Sequence, residues 1–418
     1  MNTVRRGAAA LAAATALIGT GAAGTAGAAT AAPSPSPSAV TIPDGLYGTK
    51  DPTYDGVWRQ SLAFLAQRAA GFQPSDKAVG WLFDQQCEDG SFSSFRADDK
   101  APCDAKTMRD TNATALAVQA LQAVRNQSTF PEKADKAVKA GSDWLRSVQN
   151  KDGGWGYSPG GASDANSTSV VIGALAATGA RPASFTSAEG RTPYDALLTF
   201  ALPCSDKAGA GAFAYQPDKT GKLLANADAT AAATLAGLGK GVVATKAAPE
   251  QPPVCNDLSK PTIERASLNG ASYLAKALAK TGHLNLPPMP GATDAGEQAD
   301  VGNTADAVVA LAASGAAKEA KPALEWLEKN SAAWAKEGGP AAYAQLILAA
   351  RATDTDPREF GTADLVEQLN ATGPAPKTPD TSASSTSDDE GGFDVWWIIG
   401  IGMVVGVGIG FLVSGRKK

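Results

Sequence analysis

The chain has 418 residues, of which 44% are hydrophobic, and its 37 basic and 42 acidic residues give a net charge of −5. This acidic balance argues against a nucleic-acid partner. The chain has one histidine and four cysteines, and no two cysteines stand in C-x-x-C spacing. Because zinc is held by clusters of these residues, neither a metal site nor a cofactor is expected.

The first segment, residues 1–31, is predicted to be a signal peptide. Arg5 and Arg6 precede an apolar stretch and small-residue cleavage motifs. The paired arginines also fit twin-arginine export, although general secretion is preferred. Residues 32–43 form a linker rich in proline and serine, which cannot build a core.

The last segment is predicted to anchor the protein in the cell membrane. Residues 373–392 are a polar stalk, and residues 393–414 carry an uncharged run of the length that spans a bilayer as a helix. The basic tail, residues 415–418, favours the cytoplasmic side and leaves residues 44–372 outside the cell. The sequence therefore predicts an exported bacterial surface protein with an extracellular ectodomain and a single membrane span.

An internal repeat dominates the ectodomain. The stretch from Trp81 reads WLFDQQCEDGSF, and the stretch from Trp144 reads WLRSVQNKDGGWGY. The second half of the unit reads DTNATALAVQAL from Asp110 and DANSTSVVIGAL from Asp164. Repeats of this length indicate a closed or stacked array of similar units. Weaker copies occur at Phe213–Tyr215 with Asn226–Thr230, at Asp300–Thr304, and at Trp326-Leu327 with Gly338-Gly339.

The periodicity of apolar residues predicts helices throughout and no clear strand. Start signals are a capping box at Thr129–Glu132 and caps before a first-turn proline at Thr192 and Asp356. The odd-numbered helices are rich in Ala, Val and Leu, as a buried inner layer requires, whereas the even-numbered ones carry charge along one side. Six inner and six outer helices make an all-α fold, the α/α toroid. The twelve predicted helices are 56–70, 75–87, 110–125, 132–149, 165–179, 192–202, 227–239, 261–281, 303–314, 318–330, 339–353 and 361–370.

The unit W-L-x-x-x-Q-x-x-D-G-x-[FW] resembles the QW repeat of squalene and hopene cyclases and the related prenyltransferase repeat. This resemblance covers most of residues 44–372, and two units match well. It implies the α/α toroid, which is also used by cobalamin carriers (intrinsic factor and transcobalamin), protein prenyltransferases and complement-type thioester domains. It also implies that the glutamine and the aromatic residue of the unit tie an outer helix to its neighbour.

The chemistry of these relatives is not supported by the residues. The cyclase proton donor resembles D-V-D-D-T-A, but the matching segment here begins at Asp300 and has Gly302 and Asn303 in place of the third and fourth residues. An amide cannot deliver a strong-acid proton, so terpene cyclisation is disfavoured. The zinc cluster of the prenyltransferases and the thiol of the thioester motif are also missing from the sequence. No catalytic residue is therefore assigned.

Four aspartates are compatible with a glycan-cleaving enzyme as an alternative, because such an enzyme needs two carboxylates roughly 5–9.5 Å apart in a cleft. These are Asp110, Asp164, Asp228 and Asp300. Each is also expected to cap the N-terminus of an inner helix. Since the aspartate recurs at every such start and catalysis needs only two, capping is preferred.

The glycine-rich loops before the inner helices should emerge on one face, where aromatic rings and polar groups gather as in a ligand site. The interpretation preferred here is a binding module for a small amphipathic molecule or a polymer, with the cobalamin carriers as its functional analogue. Alternatives are a terpenoid-processing or glycan-degrading enzyme and a structural surface protein. Expected partners are the membrane, an amphipathic molecule or glycan, and a membrane transporter. The predicted ligand-binding residues are Phe95, Asp110, Asn112, Trp155, Tyr157, Asp164, Asn166, Phe213, Tyr215, Asp228, Asp300 and Asn303. Of these, Trp155 is expected to be structural and Tyr157 functional.

The four cysteines are expected to form disulfides in an oxidising compartment. Three connectivities are possible. The pairs Cys87–Cys103 and Cys204–Cys255 are preferred, because each closes one loop within neighbouring repeat units.

Overall fold

The computed structural model describes residues 40–127, 129–286 and 297–378. These residues belong to one unit that begins at Val40. The predicted signal peptide, the membrane helix and the basic tail lie outside the described residues. Among the helices of the described ranges, none is long and apolar enough to cross a membrane.

The described part of the chain is mostly helical, with thirteen α-helices joined by loops and short turns. In chain order they are α1 (Gly56–Ala69), α2 (Asp76–Asp84), α3 (Thr111–Val124), α4 (Pro131–Ser147), α5 (Ala165–Ala177), α6 (Pro193–Leu198), α7 (Ala227–Gly237), α8 (Ile263–Leu278), α9 (Val301–Ala313), α10 (Ala317–Asn330), α11 (Ala332–Gly338), α12 (Pro340–Ala352) and α13 (Leu365–Asn370).

Six of these helices form a closed inner ring. Helix α1 packs on α3, α3 on α5, α5 on α7, α7 on α9, α9 on α12, and α12 returns to α1. Each inner helix also packs on the outer helix that follows it, namely α2, α4, α6, α8, α10 or α13. The arrangement agrees with the predicted α/α toroid of six inner and six outer helices.

Side-chain size and polarity decide which layer a helix joins. The inner helix α9 is buried along nearly its whole length, and small residues such as Ala305 and Ala312 let its neighbours approach closely. The outer helix α4 buries only one stripe, which includes Ala134, Val138 and Leu145, and turns its lysines and acids to solvent.

Two predicted helix starts differ from the structure. Thr129 does not open a capping box, because its hydroxyl donates instead to Asp76 Oδ2 at 2.8 Å and Phe130 takes the N-cap position. Asp356 caps a single 3₁₀ turn, Pro357–Glu359, and the last helix begins later, behind the cap Asp364. The predicted cap at Thr192 before the first-turn Pro193 is confirmed, and it also forms a capping box with Asp195.

Two further features were not predicted. The seven-residue helix α11 stands between α10 and α12, where the sequence suggested a degenerate repeat unit. Two antiparallel pairs of two-residue strands join loop and helix start, pairing β1 (Phe213–Ala214) with β2 (Ala225–Asn226) and β3 (Leu284–Asn285) with β4 (Ala299–Asp300). The pairing is too short to leave an alternating pattern in the sequence.

The repeat unit builds the same joint four times. In each copy, the backbone N–H of a buried apolar residue in the loop donates to a threonine hydroxyl in the first turn of the next inner helix. The weaker copies at residues 213 and 284 are therefore structural repeats as well. The four pairs are Phe92 with Thr114, Trp155 with Thr168, Phe213 with Thr230, and Leu284 with Thr304, at 2.8–3.1 Å.

The glutamine of the unit ties neighbouring outer helices in one copy. Gln86 Nε2 donates to the carbonyl of Ala137 on α4 at 2.9 Å, as the family resemblance implied. In the next copy, Gln149 Nε2 donates to Gly153 O within its own loop at 2.8 Å. Both predicted disulfides, Cys87–Cys103 and Cys204–Cys255, are present, with Cα–Cα distances of 5.6 and 5.7 Å.

Candidate functional site

The N-termini of the inner helices and the loops before them define one face of the ring, called here the loop face. Three of the predicted aspartate caps are confirmed there. The side chain of Asp110 accepts from Ala113 N at 2.9 Å, that of Asp164 from Ser167 N at 2.7 Å, and that of Asp300 from Asn303 N at 3.1 Å.

The predicted capping role of Asp228 is wrong. Asn226 caps α7 by accepting from Ala229 N at 2.8 Å. Asp228 lies in the first turn of this helix, and its carboxylate does not serve as the cap. The Asn166 side-chain amide on the neighbouring helix α5 donates to Asp228 Oδ2 at 2.6 Å. Asp228 thus joins two inner helices instead of ending one.

A carboxylate that the sequence analysis missed lies beside it. Asp306 stands in the second turn of α9, and the Gln345 amide of α12 donates to its Oδ2 at 3.1 Å. Burial is the largest cause that raises the pKa of Asp306 to about 7, and the negative charge of the nearby Asp228 carboxylate is the second. A signal existed in the sequence, since Asp306 is the one charged residue in the apolar run from Ala305 to Ala313.

The electrostatic environment of Asp228 and Asp164 is similar. Burial raises the pKa of Asp228. The negative charges of Asp300 and Asp164 raise it further, and the hydrogen bond from Asn166 opposes the shift. Burial also raises the pKa of Asp164. Within the described residues, no basic side chain is among the main causes of the pKa shifts of Asp164, Asp228 and Asp306. We call Asp164, Asp228, Asp300 and Asp306 the carboxylate group.

Trp155 is a packing residue, as expected, and two other predicted aromatic ligand contacts are packing residues as well. Trp155 is 1% exposed and donates from its indole nitrogen to Leu145 O at 2.8 Å. Phe213 is fully buried at the equivalent joint. Phe95 is partly buried and stacks on Trp81 with a centroid distance of 6.5 Å. In each case an apolar ring fills the space between neighbouring units.

Two tyrosines of the predicted site keep an open ring face. Tyr157 is 44% exposed and Tyr215 is 42% exposed. They occupy matching positions, two residues after the buried aromatic of the joint. The structure therefore divides each Trp/Phe-x-Tyr segment into one packing residue and one surface residue.

The remaining polar residues of the prediction line the same helix starts. Asn303 donates to Asp300 Oδ2 at 2.7 Å and so braces this cap. The side-chain carbonyl oxygens of Asn112 and Asn166 are buried and accept no hydrogen bond from any described residue. Such groups usually find a partner in water or a ligand.

The unpredicted helix α11 adds an aromatic ring to this region. A Cβ placed on Gly302 would lie 3.4 Å from the indole carbon Cζ2 of Trp334 and 3.5 Å from Gln345 Oε1. Gly302, which stands where the cyclase motif has an acid, thus lies beside the indole of Trp334 and beside Gln345, the amide partner of Asp306.

A cleft of about 250 Å³ lies between α7 and α8. It borders Ala227, next to Asp228, and is otherwise lined by residues of α8 and of the loop before α9. His283 packs against Trp326 with a centroid distance of 4.6 Å. Since this cleft contains none of the four acids, the carboxylate group is the better candidate for chemistry. The polar residues lining the cleft are Tyr273, Lys280, Thr281, His283, Asn285 and Glu297.

No family model and no curated protein matches the chain. Solved structures that resemble it include a wild-type glycosidase, at 13% identity and a TM-score of 0.45, covering 75% of this chain and 93% of that one. A sugar epimerase from a ruminal bacterium has 14% identity and a TM-score of 0.40, covering 68% and 80% of the two chains. A protein from Actinoplanes has 17% identity and a TM-score of 0.32, covering 70% and 100%.

These comparisons correct the interpretation of the chain as a cobalamin-like binding module. The neighbours are described as glycosidases and a sugar epimerase, which agrees with the glycan-degrading alternative and not with the binder. They give no specific support to the prenyltransferase and cyclase family. The identities are low and the TM-scores fall below one half, so only the residues of this chain carry evidence about its function.

Proposed function

We propose that this protein is a carbohydrate-processing enzyme that cleaves glycosidic bonds at its carboxylate group. The observation that carries the proposal is the placement of Asp228 and Asp306. Each lies on an inner helix at the loop face and is held by a side-chain amide from a neighbouring inner helix, and the charge of Asp228 helps to raise the pKa of Asp306. Glycoside hydrolysis uses two carboxyl groups of this kind.

The two environments suggest different roles. With a pKa of about 7, Asp306 keeps its proton over much of the neutral range and can donate it to a leaving oxygen. Asp228 accepts the shorter hydrogen bond, at 2.6 Å against 3.1 Å, which favours its ionised form. We therefore assign Asp306 as the general acid and Asp228 as the base or nucleophile, following the rule that paired acids are separated by environment.

The test is hydrolysis by the purified full-length protein of a panel of neutral, amino-bearing and uronic-acid oligosaccharides. Release of reducing ends is expected for at least one class. Asp306→Asn and Asp228→Asn should each lower kcat by about 10²–10⁴-fold, the usual worth of a positioned acid or base. Asp143→Asn, an exposed aspartate on the outer helix α4, is the matched control and should leave the rate unchanged. Cleavage that survives both substitutions, or no cleavage of any class, would rule the proposal out.

The resemblance to QW-repeat cyclases is proposed to extend to repeat architecture and not to prenyl chemistry. The residues that recur in the unit serve the joints between repeats, whereas the proton-donor positions hold Gly302 and Asn303. Mass spectrometry that detects a cyclised product from a polyprenyl substrate would contradict this.

We also propose that the enzyme acts outside the cell, tethered by residues 393–414. The two disulfides support this, because such bonds persist in oxidising compartments. Protease treatment of intact cells should remove the ectodomain and leave a membrane-embedded fragment. Full protection from the protease would contradict the topology.

A further inference from the structure

Tyr157 and Tyr215 are held in place by the backbone of the neighbouring repeat. The carbonyl of Tyr157 accepts from Thr111 N at 2.9 Å, and that of Tyr215 accepts from Ala165 N at 3.0 Å. These donors are the first residues of α3 and α5, which are adjacent in the inner ring. The two tyrosines therefore stand one repeat apart on the loop face.

The phenol ends are also positioned. The hydroxyls of Tyr157 and Ser94 lie 3.4 Å apart, and Ser94 in turn donates to Asp110 Oδ2 at 2.9 Å. The Tyr215 hydroxyl lies near Asp164, outside hydrogen-bonding geometry. Next to it, Gln216 Nε2 donates to the carbonyls of Ala162 and Ser163, both at 3.1 Å. Half-exposed rings on a backbone that is held by hydrogen bonds lose little freedom when a ligand covers them.

Tyr215 is also close to the reactive carboxylates. Burial raises the pKa of Tyr215, and the charges of Asp164 and Asp228 raise it further. A ring stacked on Tyr215 would thus lie beside the proposed base Asp228. Tyr157, one repeat away, is reached by the charge of Asp110 instead.

We propose that Tyr157 and Tyr215 are consecutive platforms for the sugar rings of a glycan chain, and that this chain carries no anionic groups. The inference rests on the proposed function and names the substrate class of that site. Tyrosine suits such a platform because its ring face is apolar while its hydroxyl stays hydrated. Two platforms one repeat apart require a ligand longer than a single sugar.

The exclusion of anionic sugars follows from the charges along this path. A chain that covers both tyrosines passes Asp110, Asp164 and Asp228. Among the described residues, no basic side chain is a main cause of the pKa shift of the last two. The buried Oδ2 of Asp164 and Oδ1 of Asn166 also lack a hydrogen-bond donor in the described structure. Uronic acids would add like charge to unpaired acceptors, whereas hydroxyl and ammonium groups offer donors.

Binding can be measured without turnover in the Asp306→Asn protein, with oligosaccharides of N-acetylglucosamine, glucosamine and galacturonic acid of two and six units. We expect at least one of the first two hexamers to bind more tightly than its dimer by tenfold or more, and the galacturonic acid hexamer to bind at least tenfold more weakly. Tyr215→Ala and Tyr157→Ala should each weaken binding of the hexamer by tenfold or more and binding of the dimer by less. Their melting temperatures should stay within a few degrees of the parent.

Phe130→Ala is the matched control. Phe130 is 42% exposed, like Tyr215, but precedes the outer helix α4 at the opposite end of the ring. This substitution should leave the affinity for the hexamer unchanged. Equal affinity for dimer and hexamer, unchanged binding in both tyrosine variants, or preference for galacturonic acid would overturn the inference.

The outcomes separate this inference from the proposed function. If hydrolysis depends on Asp306 but is unchanged in both tyrosine variants, the inference of tyrosine platforms is wrong and the assignment as an enzyme holds. Tyrosine-dependent binding without any hydrolysis in the unsubstituted protein does the reverse.

Discussion

At the scale of single residues, two aromatic side chains in one loop have opposite roles. Trp155 and Tyr157 are separated by a single glycine, yet one is 1% and the other 44% exposed. The difference comes from what surrounds each ring. Trp155 packs on Phe185 and donates to Leu145 O, whereas the Tyr157 hydroxyl lies 3.4 Å from that of Ser94 in the neighbouring repeat.

Trp155→Ala should therefore destabilise the protein by about 3–5 kcal/mol, because a large buried ring leaves a cavity behind. Tyr157→Ala should cost less than about 1 kcal/mol, as surface substitutions generally do not cost more. Chemical denaturation of both variants measures the difference. Similar losses in the two variants would show that Tyr157 is also a packing residue.

Asp306 makes stability depend on pH. Its pKa of about 7 in the folded protein exceeds its ordinary value of 3.8, so the folded state holds the proton more tightly than the unfolded state. The stabilising contribution of the protonated group is complete below the ordinary pKa and is lost as the pH rises through about 7. Asp306→Asn removes this titration. The free energy of unfolding of the variant minus that of the wild type should rise by about 2–4 kcal/mol between about pH 4 and pH 8. The reason is that the wild type loses up to about 1.4 kcal/mol per pH unit in this range. A pH-independent difference between the two proteins would contradict the assigned shift.

At the scale of elements, glycines of the repeat control how closely neighbouring units approach. Gly153 has φ of +91°, and a Cβ added there would lie within 3 Å of the carbonyl oxygen of Thr192, the N-cap residue of α6. Gly90 has the same φ and would meet the Ala140 carbonyl on α4. The D-G step thus lets the next outer helix contact the loop backbone directly.

Gly153→Ala should cost about 3 kcal/mol or more, since left-handed strain of about 1–2 kcal/mol adds to an overpacking cost of about 1–3 kcal/mol. Gly160 provides the matched control, because it also has a positive φ of 76° but nothing within 4 Å of an added Cβ. Gly160→Ala should show the strain alone. Equal losses in thermal or chemical denaturation would mean that the contact with Thr192 is unimportant.

At the scale of the whole molecule, the ring is closed by segments far apart in sequence. Helix α12 packs against α1, and the Tyr47 hydroxyl donates to the Pro374 carbonyl at 2.7 Å. Lys377 extends the closure by bonding to Asp76 at 2.7 Å. The first and last parts of the described ring are thereby fastened to each other, as a closed array requires.

The disulfides add covalent links within this ring. Replacing Cys204 and Cys255 together by serine should destabilise the protein by about 2–4 kcal/mol, because the bridge restricts the unfolded chain. The Cys87–Cys103 bridge closes a shorter loop, with a sequence separation of 16 against 51. Replacing both of its cysteines by serine should therefore cost no more. Denaturation with and without reductant measures both effects, and peptide mapping under non-reducing conditions checks the pairing. Free thiols in the protein purified without reductant, or a bridge between the two pairs, would contradict it.

The sequence by itself determined the repeat, the helical class and the number of inner and outer helices, and it favoured the cysteine pairing that the structure shows. These follow from local patterns, namely apolar periodicity, cap residues and the spacing of D-G and D-x-x-x-T. It also indicated correctly that Asp110, Asp164 and Asp300 cap helices, because a cap needs only its own first turn.

Only the tertiary structure decided which acids meet. Asp228 and Asp306 come from different repeats, and their amide partners Asn166 and Gln345 come from two more. Alignment placed Asp228 with the caps, although Asn226 performs that role. Asp306 belongs to no repeated pattern, and its raised pKa arises from burial and from a neighbour almost eighty positions away. Such a site depends on closure of the ring, which brings separate repeats around one axis, and local sequence patterns carry no information about that distance.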